Sequence, residues 1–172
     1  MRSPVIAVIG PGRETEPAVS NARELGRLIA ENGWVLITGG RDAGVMKGAN
    51  EGAKTARDSL TIGILANREA DISPAVDVAI VTDTGEARNN IIVLSADVVI
   101  ACGVGGAGTA SEVALALKNG KPVILLGADD AAIEFFMNIG GQKIHVSASP
   151  AEAVQLARGL IERQPPGRSA DT

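Results

Sequence analysis

Aromatic residues are almost missing from this chain: one tryptophan (Trp34), two phenylalanines (Phe135 and Phe136) and no tyrosine stand among 172 residues. A surface that stacks successive bases needs rings, and a general nucleic-acid binder needs a basic face. With a net charge of -4 and a pI near 5.0 the sequence offers neither, so no nucleic-acid partner is expected. The single cysteine, Cys102, excludes an intramolecular disulfide and a cysteine-cluster metal site, and the lone His145 has no companions for another kind. No protein-held metal is expected. Long apolar runs are missing too. The N-terminal run Val5–Ile9 is cut off by Gly10-Pro11-Gly12-Arg13, too short for a signal sequence or a membrane span. A soluble, cytoplasmic protein with no membrane partner is the expectation.

What the chain has in quantity is aliphatic side chains and 21 glycines. Short Val- and Ile-rich runs alternate with longer amphipathic ones, at Val5–Ile9, Val35–Thr38, Leu60–Leu65, Val78–Val81, Val98–Cys102, Val123–Leu126 and Lys143–Val146. That alternation reads as repeated βα units, hence a single doubly wound α/β domain of Rossmann-like type, with about seven mostly parallel strands and helices covering both faces. The domain is expected over residues 1–163, with a flexible tail at 164–172 that opens on Gln164-Pro165-Pro166-Gly167.

Helix starts are expected at Thr15 or Glu16 before Pro17, at Asp42 before Ala43, at Asp129-Asp130, and at Ser149-Pro150-Ala151-Glu152. Stops are expected at Asn32-Gly33 and Asn119-Gly120. The stretch Asn67–Asp77 has no period and reads as a loop or short helix crossing the sheet edge. Residues Thr109–Lys118 are apolar on nearly every helical face, which predicts a helix buried all round, between the sheet and a second subunit. A homo-oligomer, dimer or tetramer, is the corresponding expectation.

Three glycine clusters lie directly after strands and before helices: Gly10-Pro11-Gly12, Gly39-Gly40 with Gly44, and Gly103-Val104-Gly105-Gly106-Ala107-Gly108. In a parallel sheet all such turns open on one carboxyl rim, where open α/β folds bind ligands. Glycine lets backbone N–H groups approach an anion, and the helix end beyond it adds free donors and a positive dipole. A phosphate is the natural occupant, although each turn alone is also explained by tight-turn geometry. The third cluster spells G-x-G-x-x-G with Asp129-Asp130 about twenty residues on, as a dinucleotide site would. It lies on the fifth strand, not the first, which makes an NAD-type site a minor alternative.

The residues beyond the glycines are more specific. Gly105-Gly106-Ala107-Gly108-Thr109-Ala110-Ser111-Glu112 resembles the G-G-x-G-T-x-x-E motif of the lysine decarboxylase-like or LOG superfamily, and Gly39-Gly40-Arg41-Asp42-Ala43-Gly44-Val45-Met46 resembles its G-G-G-x-x-G-L-M motif. Gly85-Glu86-Ala87-Arg88 stands where that superfamily keeps a catalytic arginine. The phosphoribohydrolases of the superfamily have proline before the second motif and arginine followed by lysine, whereas this chain has Val104 and Arg88-Asn89. Those departures, with the Gly-Pro-Gly opening, Glu112-Val113-Ala114-Leu115-Ala116-Leu117-Lys118 and Ile144-His145-Val146, resemble the molybdenum cofactor carrier branch.

The resemblance implies a non-catalytic protein that binds, protects and carries or stores molybdenum cofactor, a phosphorylated molybdopterin, before transfer to molybdenum-enzyme apoproteins. It leaves two alternatives: a phosphoribohydrolase releasing base and ribose 5-phosphate from nucleoside 5′-monophosphates, with Arg88 and Glu112 catalytic, or a nucleotide-sensing module. The expected ligand-binding residues are Gly10, Gly12, Arg13, Gly39, Gly40, Arg41, Arg88, Gly105, Gly106, Ala107, Gly108, Thr109 and Glu112.

Individual residues keep two readings. Glu112 is either the glutamate of a Thr109-x-x-Glu112 capping box or a carboxylate facing the ligand. Arg88 is either a solvated charge or a bidentate partner for phosphate or a pterin edge. Arg13 and Arg41 are rim cations or ordinary surface residues. Thr109 is the hydroxyl favoured for phosphate over Thr38. Cys102 reads as a small buried hydrophobe, Met46 as core, and His145 carries no assigned chemistry.

Overall fold

Each Val- and Ile-rich run forms a strand in the computed structural model, which describes residues 2–163: β1 Val5–Ile9, β2 Val35–Thr38, β3 Leu60–Leu65, β4 Val78–Val81, β5 Val98–Cys102, β6 Val123–Leu126 and β7 Ile144–Ser147. The expected tail, 164–172, lies outside the described residues. Strand β7 begins one residue later than expected because Gly141–Lys143 first make a 3-10 turn. Between the strands run α1 Ala18–Glu31, α2 Gly44–Ala53, α3 Arg88–Ser95, α4 Ala107–Lys118, α5 Asp130–Gly140 and α6 Pro150–Glu162.

All seven strands form one parallel sheet in the order β4-β3-β2-β1-β5-β6-β7. Strand β1 is central, with Ile6 opposite Leu36 of β2 on one side and Val98 of β5 on the other. Helices α1, α2 and α6 pack on one face, around Leu25, Ile29, Ile100 and Ile124. Helices α3, α4 and α5 pack on the other, around Ile92, Val99, Val113 and Phe136. Each fully buried aliphatic side chain contributes about 1.5–3 kcal/mol by leaving water. This is the expected doubly wound Rossmann-like domain, and its winding reverses between β1 and β5, which opens a crevice at their carboxyl ends.

Four local expectations are corrected. Helices do not cover the whole sheet: all four residues of β4 are exposed, because the β3–β4 connection over residues 66–77 contains no helix and leaves the edge open. Asp42 does not cap α2, whose N-cap is Ala43 with no side-chain bond. Pro17 occupies the N-cap of α1, and Glu16 instead accepts from the Ser20 backbone N–H at 3.2 Å. Helix α4 begins at Ala107 with Gly106 as N-cap, so Thr109 and Glu112 lie inside the helix and form no capping box.

Within the single chain, helix α4 buries one face. Val113 and Ala116 face the core, whereas Ala114 is exposed and Leu115 and Leu117 are half-buried. The remaining boundaries hold. Asp129 accepts from Ala132 N–H at 2.8 Å, Ser149 accepts from Glu152 N–H at 3.2 Å, and Gly33 and Gly120 end their helices at φ 69° and 73°.

Candidate functional site

The carboxyl ends of β1, β2 and β5 open on one cleft of about 270 Å³. The turn after β1 contributes Gly10, Pro11, Gly12 and Arg13, and the turn after β2 contributes Gly39 and Arg41, backed by Met46 of α2. The turn after β5 supplies Gly105, Gly106 and Gly108, and α4 adds Thr109 and Glu112. From across the cleft come Glu86, Arg88 and Asn89. Three turns that are distant in sequence thus converge because the sheet is parallel and β1 lies between β2 and β5. Gly40 and Ala107 do not line the cleft. Gly40 is a packing glycine, where a Cβ would lie 2.8 Å from the Gly63 Cα.

The lining glycines differ in kind. A Cβ on Gly106 or Gly108 would meet no atom from elsewhere in the described residues within 4 Å, so packing does not explain their lack of a side chain. They border open space at the start of α4, where the first backbone N–H groups have no acceptor within the helix. Together they form a concave, donor-rich surface suited to an oxyanion. Thr109, only 4% exposed, adds a hydroxyl with no hydrogen bond inside the described residues. Arg13 and Arg41 are exposed and, among the described residues, in no ion pair. The expected alternative Thr38 is occupied structurally: it accepts from Gly40 N–H at 3.0 Å and donates to Asn50 at 3.3 Å.

Arg88 is not a solvated charge. It is 6% exposed, and its Nη1 donates to the Gly39 carbonyl at 2.8 Å and the Ile64 carbonyl at 2.6 Å. The ends of β2 and β3 are thereby tied to α3. Burial lowers its pKa from the ordinary value, opposed by Glu112 and Glu86. Its Nε is buried with no partner among the described residues. Glu112 also lies largely out of water: burial pushes its carboxyl up to about 7, with Arg88 pulling it down and Glu86 adding to the rise. Near neutral pH this carboxyl donates or accepts a hydrogen bond with similar ease.

Asn89 was absent from the expected site and belongs to it. It lines the cleft at 5% exposure, donates through Nδ2 to Glu86 at 3.3 Å, and leaves Oδ1 buried without a partner among the described residues. A buried polar atom left unpaired costs about 1–3 kcal/mol. The only sequence signal was its place beside Arg88, where the phosphoribohydrolases keep lysine.

Known proteins share this arrangement of strands and turns. The SLOG cluster4 family model matches residues 3–154.

The chain belongs to the SLOG cluster4 family.

It is similar to the molybdenum cofactor binding protein of Rippkaea orientalis at 54% identity, over 94% of this chain and 99% of that one, with a TM-score of 0.89. It is similar also to the molybdenum cofactor carrier protein of Chlamydomonas reinhardtii at 47% identity, over 94% and 100% of the two chains, again with a TM-score of 0.89. An uncharacterised protein of Archaeoglobus fulgidus is 46% identical over 121 residues, 70% of this chain and 78% of that protein. The expected resemblance to the carrier branch is thus found in the folded structure.

In this SLOG cluster4 chain, Cys102 is fully buried at the end of β5, and burial pushes its thiol up to about 12. Among the described residues no group of three or more His, Cys, Asp or Glu side chains is arranged to hold a metal, and no helix is long and apolar enough to cross a membrane.

Proposed function

We propose that this protein binds molybdenum cofactor, the phosphorylated molybdopterin, and carries or stores it without catalysing a reaction on it. The observation that supports this most directly is the open cradle at Gly106 and Gly108, where a Cβ would meet no atom from elsewhere in the described residues within 4 Å. It lies within a cleft that also holds Arg13 and Arg41, in a fold shared at 47–54% identity with molybdenum cofactor binding and carrier proteins. The phosphate lies over the amides of Gly105–Thr109, with Gly10, Gly12, Arg13 and Arg41 on the rim and Arg88 and Glu112 beside the pterin. The protein works in the cytoplasm as a homo-oligomer and releases its cargo to molybdenum-enzyme apoproteins.

Glu112 gives a second reading some support. A carboxyl with a pKa of about 7 beside an arginine suits acid–base work on an N-glycosidic bond, as in the phosphoribohydrolases. Against that reading, Arg88 Nη1 is committed to two backbone carbonyls. One paired experiment separates the two. Purified protein is incubated with molybdenum cofactor and passed through gel filtration, with retained cofactor read as its fluorescent oxidised product. In parallel it is incubated with AMP, with ribose 5-phosphate assayed. Retention without nucleotide turnover is expected; turnover that depends on Arg88 and Glu112, without retention, overturns the carrier reading.

A further inference from the structure

Two consecutive residues at the start of α3 each bury a polar atom that no other described residue satisfies. Arg88 Nε and Asn89 Oδ1 have neither partner nor solvent access, although both residues line the cleft. Arg88 Nη1 already donates to the carbonyls of Gly39 and Ile64, and Asn89 Nδ2 to the Glu86 carboxylate, while Arg88 Nη2 has no hydrogen bond among the described residues. That last bond fixes which way the amide faces, because only its NH2 end donates to a carboxylate. One orphan is therefore a donor and its neighbour an acceptor. Native proteins rarely leave such atoms unpaired, and two of them on consecutive residues that line a cleft point to a partner that arrives from outside the chain.

A planar heterocycle whose edge carries an acceptor beside an N–H supplies both bonds, and the cyclic amide of a pterin is such an edge: its carbonyl takes the Arg88 donor and its N–H the Asn89 acceptor. The phosphate cradle at Gly106 lies in the same cleft, so one ligand reaches both. We infer that Asn89 is the residue that reads the heterocycle: with Nδ2 held by Glu86, the side chain shifts together with that carboxylate on ligand entry so that Oδ1 accepts from the ring N–H, and the Arg88 guanidinium, whose Nε and Nη2 have no partner among the described residues, donates to the adjacent carbonyl. This rests on the proposed binding of a phosphorylated pterin and adds to it the residue that selects the ring.

The test measures binding of neopterin 3′-monophosphate, by its fluorescence, and of inorganic phosphate, by calorimetry, to the full chain and to Asn89→Leu. Leucine keeps the approximate volume and removes the acceptor. The expected result is a ten- to hundredfold weaker affinity for the pterin phosphate, unchanged affinity for inorganic phosphate, and a thermal midpoint equal to or above that of the wild type, since an unpaired buried oxygen has gone. Glu86→Ala, which frees the amide to turn over, is expected to weaken the pterin phosphate severalfold and leave phosphate alone. A lowered midpoint with unchanged pterin affinity would make Asn89 structural and overturn the inference. Equal loss for both ligands would overturn it as well. Failure of the wild-type protein to bind the pterin phosphate at all removes the proposed function together with the inference, whereas tight binding indifferent to Asn89 removes the inference alone.

Discussion

Arg88 and Gly39 form one interlocked unit: the arginine Nη1 donates to the glycine carbonyl at 2.8 Å, and a Cβ at position 39 would lie 2.2 Å from that same nitrogen. The absence of a side chain at the end of β2 is what lets the guanidinium cross beneath the turn to Ile64 of β3. Gly39→Ala is therefore expected to displace Arg88 and destabilise the fold by about 1–3 kcal/mol. Denaturant midpoints check the stability. Molybdenum cofactor retention is expected to fall with it, and wild-type stability in the Gly39→Ala variant would contradict the interlock.

Gly106 is the opposite case. Its backbone is extended at φ -174°, a conformation open to any residue, and a Cβ there meets nothing. Gly106→Val is expected to leave the stability within about 0.5 kcal/mol of wild type, as surface changes do, while binding of a phosphorylated ligand is lost. Unchanged affinity would reduce the third glycine cluster to a turn.

The Glu112 carboxyl makes stability depend on pH. Its native pKa of about 7 lies above the ordinary value of 4.5, so between those pH values the folded chain holds more proton than the unfolded chain. Stability therefore falls as pH rises through that window, by ~3 kcal/mol once Glu112 is fully ionised. Glu112→Gln is expected to remove this component, matching wild type near pH 5 and exceeding it above about pH 8. Chemical denaturation across that range measures the difference. Affinity for an anionic ligand should weaken above about pH 7 in the wild type and much less in the variant.

Cys102 is expected to be inert in the native protein, because its thiol is buried and its pKa is pushed up to about 12. A colorimetric thiol reagent should leave it unmodified at about pH 8 and react fully after denaturation. Rapid reaction of the folded protein would contradict its burial.

Much of the architecture was legible locally. Strand β1, at Val5–Ile9, was visible because a fully covered parallel strand reads as an unbroken aliphatic run, and Ser149-Pro150 announced α6 through a cap of purely local chemistry. Misreadings arose where two explanations share residue types. Thr109 and Glu112 spell a capping box, yet the N-cap of α4 stands three residues earlier, because Gly106 takes the extended conformation that position needs.

The sequence by itself determined the alternation of strands and helices, the placing of three glycine turns on one rim, and the motifs that mark the superfamily, since these depend on periodicity and on residues close together in the chain. Tertiary structure alone decided which glycines are packing and which border open space, and that Arg88 is bound to carbonyls 49 and 24 residues away. It also decided that Asn89, a residue of the cleft, keeps a buried acceptor with no partner among the described residues and that Glu112 is buried enough to hold a proton near neutral pH. The reason is that desolvation and hydrogen-bond satisfaction are properties of what surrounds an atom, and at this cleft the surroundings come from segments that meet only once the sheet has formed.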